Sequence, residues 1–112
     1  MRSDAALLTD IRENIRLAEA FTNGLTFEAF ATQIEKLYSV TRCLEIISEA
    51  SRRLSPEIKL RYPELRWSEI AGAGSVYRHA YERVSADVIW GTVKNALPPL
   101  LAMVTTELAA RG

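Results

Sequence analysis

Apolar residues recur along this chain at three- and four-residue steps, and no stretch alternates in the two-residue rhythm of a strand. The first series is Leu7, Leu8, Ile11, Ile15, Ala18 and Phe21. It predicts a helix capped by Ser3 or Asp4, whose side-chain oxygens can take an unpaired first-turn amide, and stopped at Asn23-Gly24. Thr26 with Glu28 opens a second series: Phe27, Phe30, Ile34, Leu37, Thr41, Leu44 and Ile47. Nothing breaks it before Ser55-Pro56, so the pattern predicts one helix reaching as far as Leu54. At the rise of an α-helix such an element measures ~40 Å, a length suited to a bundle.

From Pro56 to Gly74 the pattern turns short and irregular. Pro63 ends one candidate helical turn, and Trp67-Ser68-Glu69-Ile70 suggests another, with Trp67 as a lid on the core. The last series is Val88, Ile89, Val93, Leu97, Leu100, Leu101, Val104 and Leu108. Ser85 or Asp87 can cap this helix, and Pro98-Pro99 must kink or divide it because two amide donors are missing. The expected fold is all-α: an up-and-down bundle of four principal helices plus one short helix. The chain of 112 residues, 48% of them hydrophobic, suits a single domain over 1–112 with one core.

Fourteen basic and fourteen acidic side chains cancel, which excludes a global field able to hold nucleic acid without sequence preference. Any RNA contact therefore needs a local patch. Arg52-Arg53 with Lys59 and Arg61 is the densest basic region, although a solvated helix end explains it more simply. The single Cys43 cannot close an internal disulfide and reads as a helix-core filler. With no secretion signal and no apolar run of ~20 residues, the expectation is a soluble protein of the reducing cytoplasm, away from membranes. Trp67, Trp90, Phe27, Phe30 and the many leucines exceed what one small core readily hides, and the surplus suggests a homodimer.

Candidate chemistry centres on the one histidine, His79, in Tyr77-Arg78-His79-Ala80-Tyr81, between Gly72-Ala73-Gly74 and the apolar last segment. Histidine titrates nearest neutral pH, and the Tyr81 hydroxyl can donate, accept or be modified. In a continuous helix Tyr77 and Tyr81 share a face while His79 points ~200° away; a helix ending near His79 lets His79 and Tyr81 reach a common cleft. Arg42, Glu45 and Glu49 recur at three and four residues, a spacing that permits surface ion pairs. One histidine and scattered carboxylates lack metal-ligand spacing, so neither metal nor other cofactor is expected.

Seven pieces in order carry a resemblance across nearly the whole chain. They are Thr26-Phe27-Glu28-Ala29-Phe30, Arg42 to Ala50, Tyr62 to Trp67, Ile70-Ala71-Gly72, His79-Ala80-Tyr81, Val88-Ile89-Trp90 and Leu97-Pro98-Pro99-Leu100. Together they resemble the HepT-like branch of the HEPN superfamily. The resemblance implies a small helical bundle that pairs as a homodimer, a toxin encoded beside a minimal nucleotidyltransferase (MNT-type) antitoxin. It also implies metal-independent RNA cleavage by an arginine and a histidine, silenced when the transferase places AMP on a tyrosine. His79 matches the catalytic histidine and Tyr81 the modified tyrosine.

The motif arginine has no match. Five residues before His79 stands Gly74, and Ala73 and Gly72 lie further back. Cleavage through the 2′-hydroxyl needs a base, an acid and a positive group for the charge on phosphorus, and losing one fixed stabiliser costs ~100- to 1000-fold in rate. Arg78 is the nearest substitute, from the same or a second subunit, and Arg42 the next, with Tyr77 a possible support. Two function classes result: a ribonuclease toxin using His79, or a catalytically inert helical dimer that binds a protein or nucleotide.

Overall fold

The computed structural model describes residues 2–71 and 85–112, and all its regular elements are helices. Helix α1 spans Asp4–Thr22. The Ser3 hydroxyl, rather than Asp4, caps it by accepting from the Ala6 amide at 3.2 Å. At the other end Asn23 donates back to the Ala20 carbonyl, and Gly24 turns the chain at φ +78°, a region costly for any residue with a Cβ. Leu7, Leu8, Ile11, Ile15 and Ala18 are all buried, as their spacing requires.

The long second helix of the sequence pattern is two helices. α2 is Phe27–Thr32, capped by the Thr26 hydroxyl, and α3 is Ile34–Arg53. Gln33 leaves the helical region at φ −102° and ψ 91°. The turn sets α2 against both α3 and the later helix α5, Ser85–Gly91, and Phe30 becomes fully buried there against Trp90 at 5.3 Å. Ile34 pays for the break: the pattern placed it in the core, but as the first residue of α3 it is 61% exposed. The remainder of the series, Leu37, Thr41, Leu44 and Ile47, is buried, and so is Cys43, whose thiol is pushed up by burial.

Ser55 caps and Pro56 opens the short α4, Pro56–Arg61. It stops at Tyr62, which precedes Pro63 and is thereby kept from the helical region, at φ −129°. Trp67 packs half-buried on the core, and its indole N–H donates to the Tyr62 carbonyl at 3.0 Å, as a lid should. Residues 67–71 are helical.

The final segment neither kinks apart nor divides at its prolines. Between α5 and α6, Leu97–Arg111, residues Thr92–Ala96 form a π-helical turn, with the Leu97 amide reaching the Thr92 carbonyl five residues back. Gly91, Ala96 and Leu97 keep helical dihedrals, so the rod is unbroken. The wide turn receives Pro98 and Pro99 in the opening turn of α6, where missing amides matter least. Asp87, offered by the sequence as a cap, lies inside α5. α1 packs on α3 and α6, and Val93, Leu97, Leu100, Met103 and Val104 complete the core.

Candidate functional site

His79, Tyr81, Arg78 and Tyr77, the residues on which the sequence places the chemistry, lie outside the described residues. Arg42 is described. Its guanidinium faces Glu45 at 3.7 Å, and its side chain is exposed. The spacing of Arg42 and Glu45 does produce a surface ion pair, and Glu49 pairs with residues outside that stripe, Arg52 at 2.6 Å and Arg53 at 3.6 Å. The remaining basic residues are engaged as well: Lys59 donates to the Arg52 carbonyl and Arg61 to Glu107. The region of Arg52, Arg53, Lys59 and Arg61 is thus a compensated helix end, the simpler of the two readings of the sequence.

Two clefts flank α3. One, of about 340 Å³, runs between α1 and α3 and holds Arg2, Asp10, Arg42, Glu45, Glu49 and Arg53. Arg2 bonds to Asp10, so opposed charges neutralise one another along it. The other, of about 370 Å³, lies between α3, residues 64–70 and the π-helical turn. Leu44, Ile47, Ile70 and Leu100 give it an apolar floor, and Arg66, Glu69 and Asn95 stand at its margin. The Arg66 guanidinium is 3.6 Å from Glu69, and both side chains project into solvent.

At the base of this second cleft is buried Ser48. Its hydroxyl donates across the cleft to the carbonyls of Ile70, at 2.5 Å, and Ala71, at 3.1 Å. The chain is thereby fastened to α3 eight residues before His79 in sequence. Nothing in the sequence pattern marks Ser48, since a serine in a helix gives no sign of a partner 22 residues away.

A second polar cluster missed by the pattern joins α4 to α6. Glu107 is buried, and its carboxylate accepts from Arg61 at 2.6 and 3.3 Å and from the Tyr62 hydroxyl at 2.8 Å, with Arg111 at 3.8 Å. The Arg61 hydrogen bonds hold the Glu107 carboxyl below the usual carboxylate range, and the Glu107 bond raises the Tyr62 phenol. Arg61, Tyr62 and Glu107 satisfy one another by hydrogen bonds, with Arg111 adding a longer ion pair, which makes a structural clasp. Among the described residues no three of His, Cys, Asp and Glu gather as metal ligands, and no helix is long and apolar enough to cross a membrane.

The aromatic residues expected to be surplus are largely absorbed: Phe27 stacks edgewise on Trp90 at 6.0 Å, and Lys94 covers the Trp90 ring at 4.6 Å. Among the described residues the exposed large apolar side chains are instead Leu17, Ile34, Tyr38, Leu60 and Val88.

The model of the family described as Ribonuclease HepT-like matches residues 11–106. A probable ribonuclease HepT of Thermococcus cleftensis is 40% identical over 99 residues, covering 88% of this chain and 90% of that protein. The putative RNase MJ1216 of Methanocaldococcus jannaschii is 32% identical over 99 residues, covering 88% and 82%. The putative RNase MJ0127 of the same organism is 33% identical over 93 residues, covering 83% and 77%. No solved structure matches the chain.

Proposed function

Because the chain belongs to the ribonuclease HepT-like family, of the HEPN superfamily, we propose that it is the toxin of a toxin-antitoxin pair, an endoribonuclease acting without metal through His79. The observation that carries this reading is His79-Ala80-Tyr81, the family's histidine and tyrosine at their spacing, inside the matched residues 11–106. His79 takes the proton of an RNA 2′-hydroxyl while the 2′-oxygen bonds to phosphorus. The bond from phosphorus to the 5′-oxygen breaks, a proton reaches the departing oxygen, and the products carry a 2′,3′-cyclic phosphate and a 5′-hydroxyl.

Charge on phosphorus in that step calls for a cation, and Gly74 stands where the family has arginine. Arg78 from either subunit of a homodimer is the first candidate for the role. Arg42 is the second, exposed and held among the described residues by a 3.7 Å ion pair that an approaching phosphate can outcompete. Silencing follows from Tyr81, whose phenolic oxygen attacks the α-phosphorus of ATP on an MNT-type nucleotidyltransferase, releasing pyrophosphate and leaving AMP on the ring. The setting is the cytoplasm, where both RNA and ATP are present.

Gly74 also favours a second reading, an inert helical dimer that keeps the partner surface and has lost cleavage. RNA cleavage by the wild type and by His79→Ala separates the two. Incubation with a nucleotidyltransferase and ATP, followed by mass measurement of the wild type and Tyr81→Phe, tests the modification: AMP added to both proteins would remove Tyr81 from that role.

A further inference from the structure

One side of α3 packs on α1, α2 and α5, and its outer side carries a separate pattern. Glu35, Tyr38, Arg42, Glu45, Glu49 and Arg52 follow one another at steps of three, four, three, four and three. Such alternation averages 3.5 residues and draws a straight seam along a helix, the geometry by which two helices pair. Tyr38 is 55% exposed, the Arg42 side chain is 70% exposed, and only Glu45 is partly covered. Ile34, one turn before Tyr38, is also exposed, so large apolar groups stand in water at this end of the seam.

The order of the charges decides which partner fits. Two copies of the seam can lie antiparallel about a two-fold axis between positions 43 and 44. Arg42 then meets Glu45 of the second copy, Glu35 meets Arg52, and the Tyr38 hydroxyl meets the Glu49 carboxylate, an acceptor for it. By symmetry each layer occurs twice, and none sets like charges together. Parallel pairing instead puts Arg42 on Arg42, Glu45 on Glu45 and Glu49 on Glu49. Within one chain Arg42 already faces Glu45 and Arg52 faces Glu49, so the seam enters such a contact as neutralised pairs and not as bare ions.

We infer that the outer face of α3 is where a second copy of this chain docks, antiparallel, in the register that sets Arg42 against Glu45. The inference rests on the homodimer of the proposed function and not on RNA cleavage. Because most of the seam is charged, it fixes orientation more than affinity, and the contact weakens as salt rises.

The test is analytical ultracentrifugation of wild type, Arg42→Glu, Glu45→Arg and an equal mixture of the two variants, over a range of protein concentration at low salt. Each variant alone sets like charges in both central layers, so its dimer dissociation constant should rise ~10-fold or more. In the mixture the introduced carboxylate at position 42 faces the introduced guanidinium at position 45, the native pair forms in the other layer, and dimer should return. Like charges persist within each chain of the mixture, and an unfolded variant would not recover on mixing, so the return can arise only across the seam. Single variants that dimerise as tightly as the wild type overturn the inference and leave the homodimer to another surface. Weakened variants whose mixture stays monomeric overturn it too, since the loss then comes from within the chain. A wild type that stays monomeric at high concentration overturns the homodimer along with the inference.

Discussion

Arg61 and Glu107 lie 46 residues apart and meet through two hydrogen bonds, one of 2.6 Å, that fasten the short helix α4 to the buried side of α6. Glu107→Gln keeps the shape and removes the charge, so it should destabilise the fold by about 1–2 kcal/mol at neutral pH, moderated by the solvent around Arg61. The sign of the pH dependence follows from the carboxyl being held low by Arg61. Its contribution is complete above the ordinary glutamate range and is lost as pH falls through the lowered folded value. Urea denaturation from pH 7 down to pH 3 should show wild type and Glu107→Gln converging in acid; a gap that widens in acid contradicts this account.

The π-helical turn Thr92–Ala96 should exist because of the two prolines after it. A π-turn is an α-helix with one residue inserted, so deleting exposed Asn95 restores α-register while leaving the facing of later residues unchanged. Pro98 and Pro99 would then sit in an α-helical interior, at a cost of about 3 kcal/mol or more. The deletion combined with Pro98→Ala and Pro99→Ala should regain most of that stability in thermal melts. No recovery would place the origin of the turn elsewhere.

Gly24→Ala isolates a backbone effect. A Cβ at this position meets nothing within 4 Å, yet φ is +78°. The expected loss is about 1–2 kcal/mol in chemical denaturation, from conformational strain alone. A loss near zero would mean that the turn between α1 and α2 can relax without cost.

Phe30→Ala should cost about 3–5 kcal/mol, since the ring is fully buried against Trp90 and holds α2 to α5. Phe27→Ala, removing a half-buried ring at 6.0 Å from the same indole, should cost clearly less. Equal losses would show that α2 is held by something other than Phe30.

Much of this fold is written locally. The Ser3 cap, the Asn23-Gly24 stop, the core stripe of α1 and the buried Cys43 all follow from spacing and capping chemistry within a few residues. Gln33 was illegible because it is no helix breaker. The chain turns there so that Phe30 can reach Trp90, a contact 60 residues distant that no local pattern encodes. The same applies to Ser48 and Glu107, whose partners lie 22 to 46 residues away. The prolines announced a disturbance, but its form, a widened turn that keeps the rod continuous, was not encoded in the local pattern, and the helices on its two sides pack on different partners, α5 on α2 and α3 and α6 on α1. His79 and Tyr81 were legible as a pattern of residue types, whereas a cation for the proposed cleavage would come from spatial neighbours that no local pattern encodes.

The central claim is that His79 cleaves RNA. The most direct measurement is digestion of a mixed RNA pool by purified wild type and His79→Ala, each freed of contaminating nuclease and assayed with chelator present. The account predicts cleavage by the wild type alone, with 2′,3′-cyclic phosphate and 5′-hydroxyl ends. Equal inactivity of both proteins at high concentration, or cleavage that survives in His79→Ala, would contradict it.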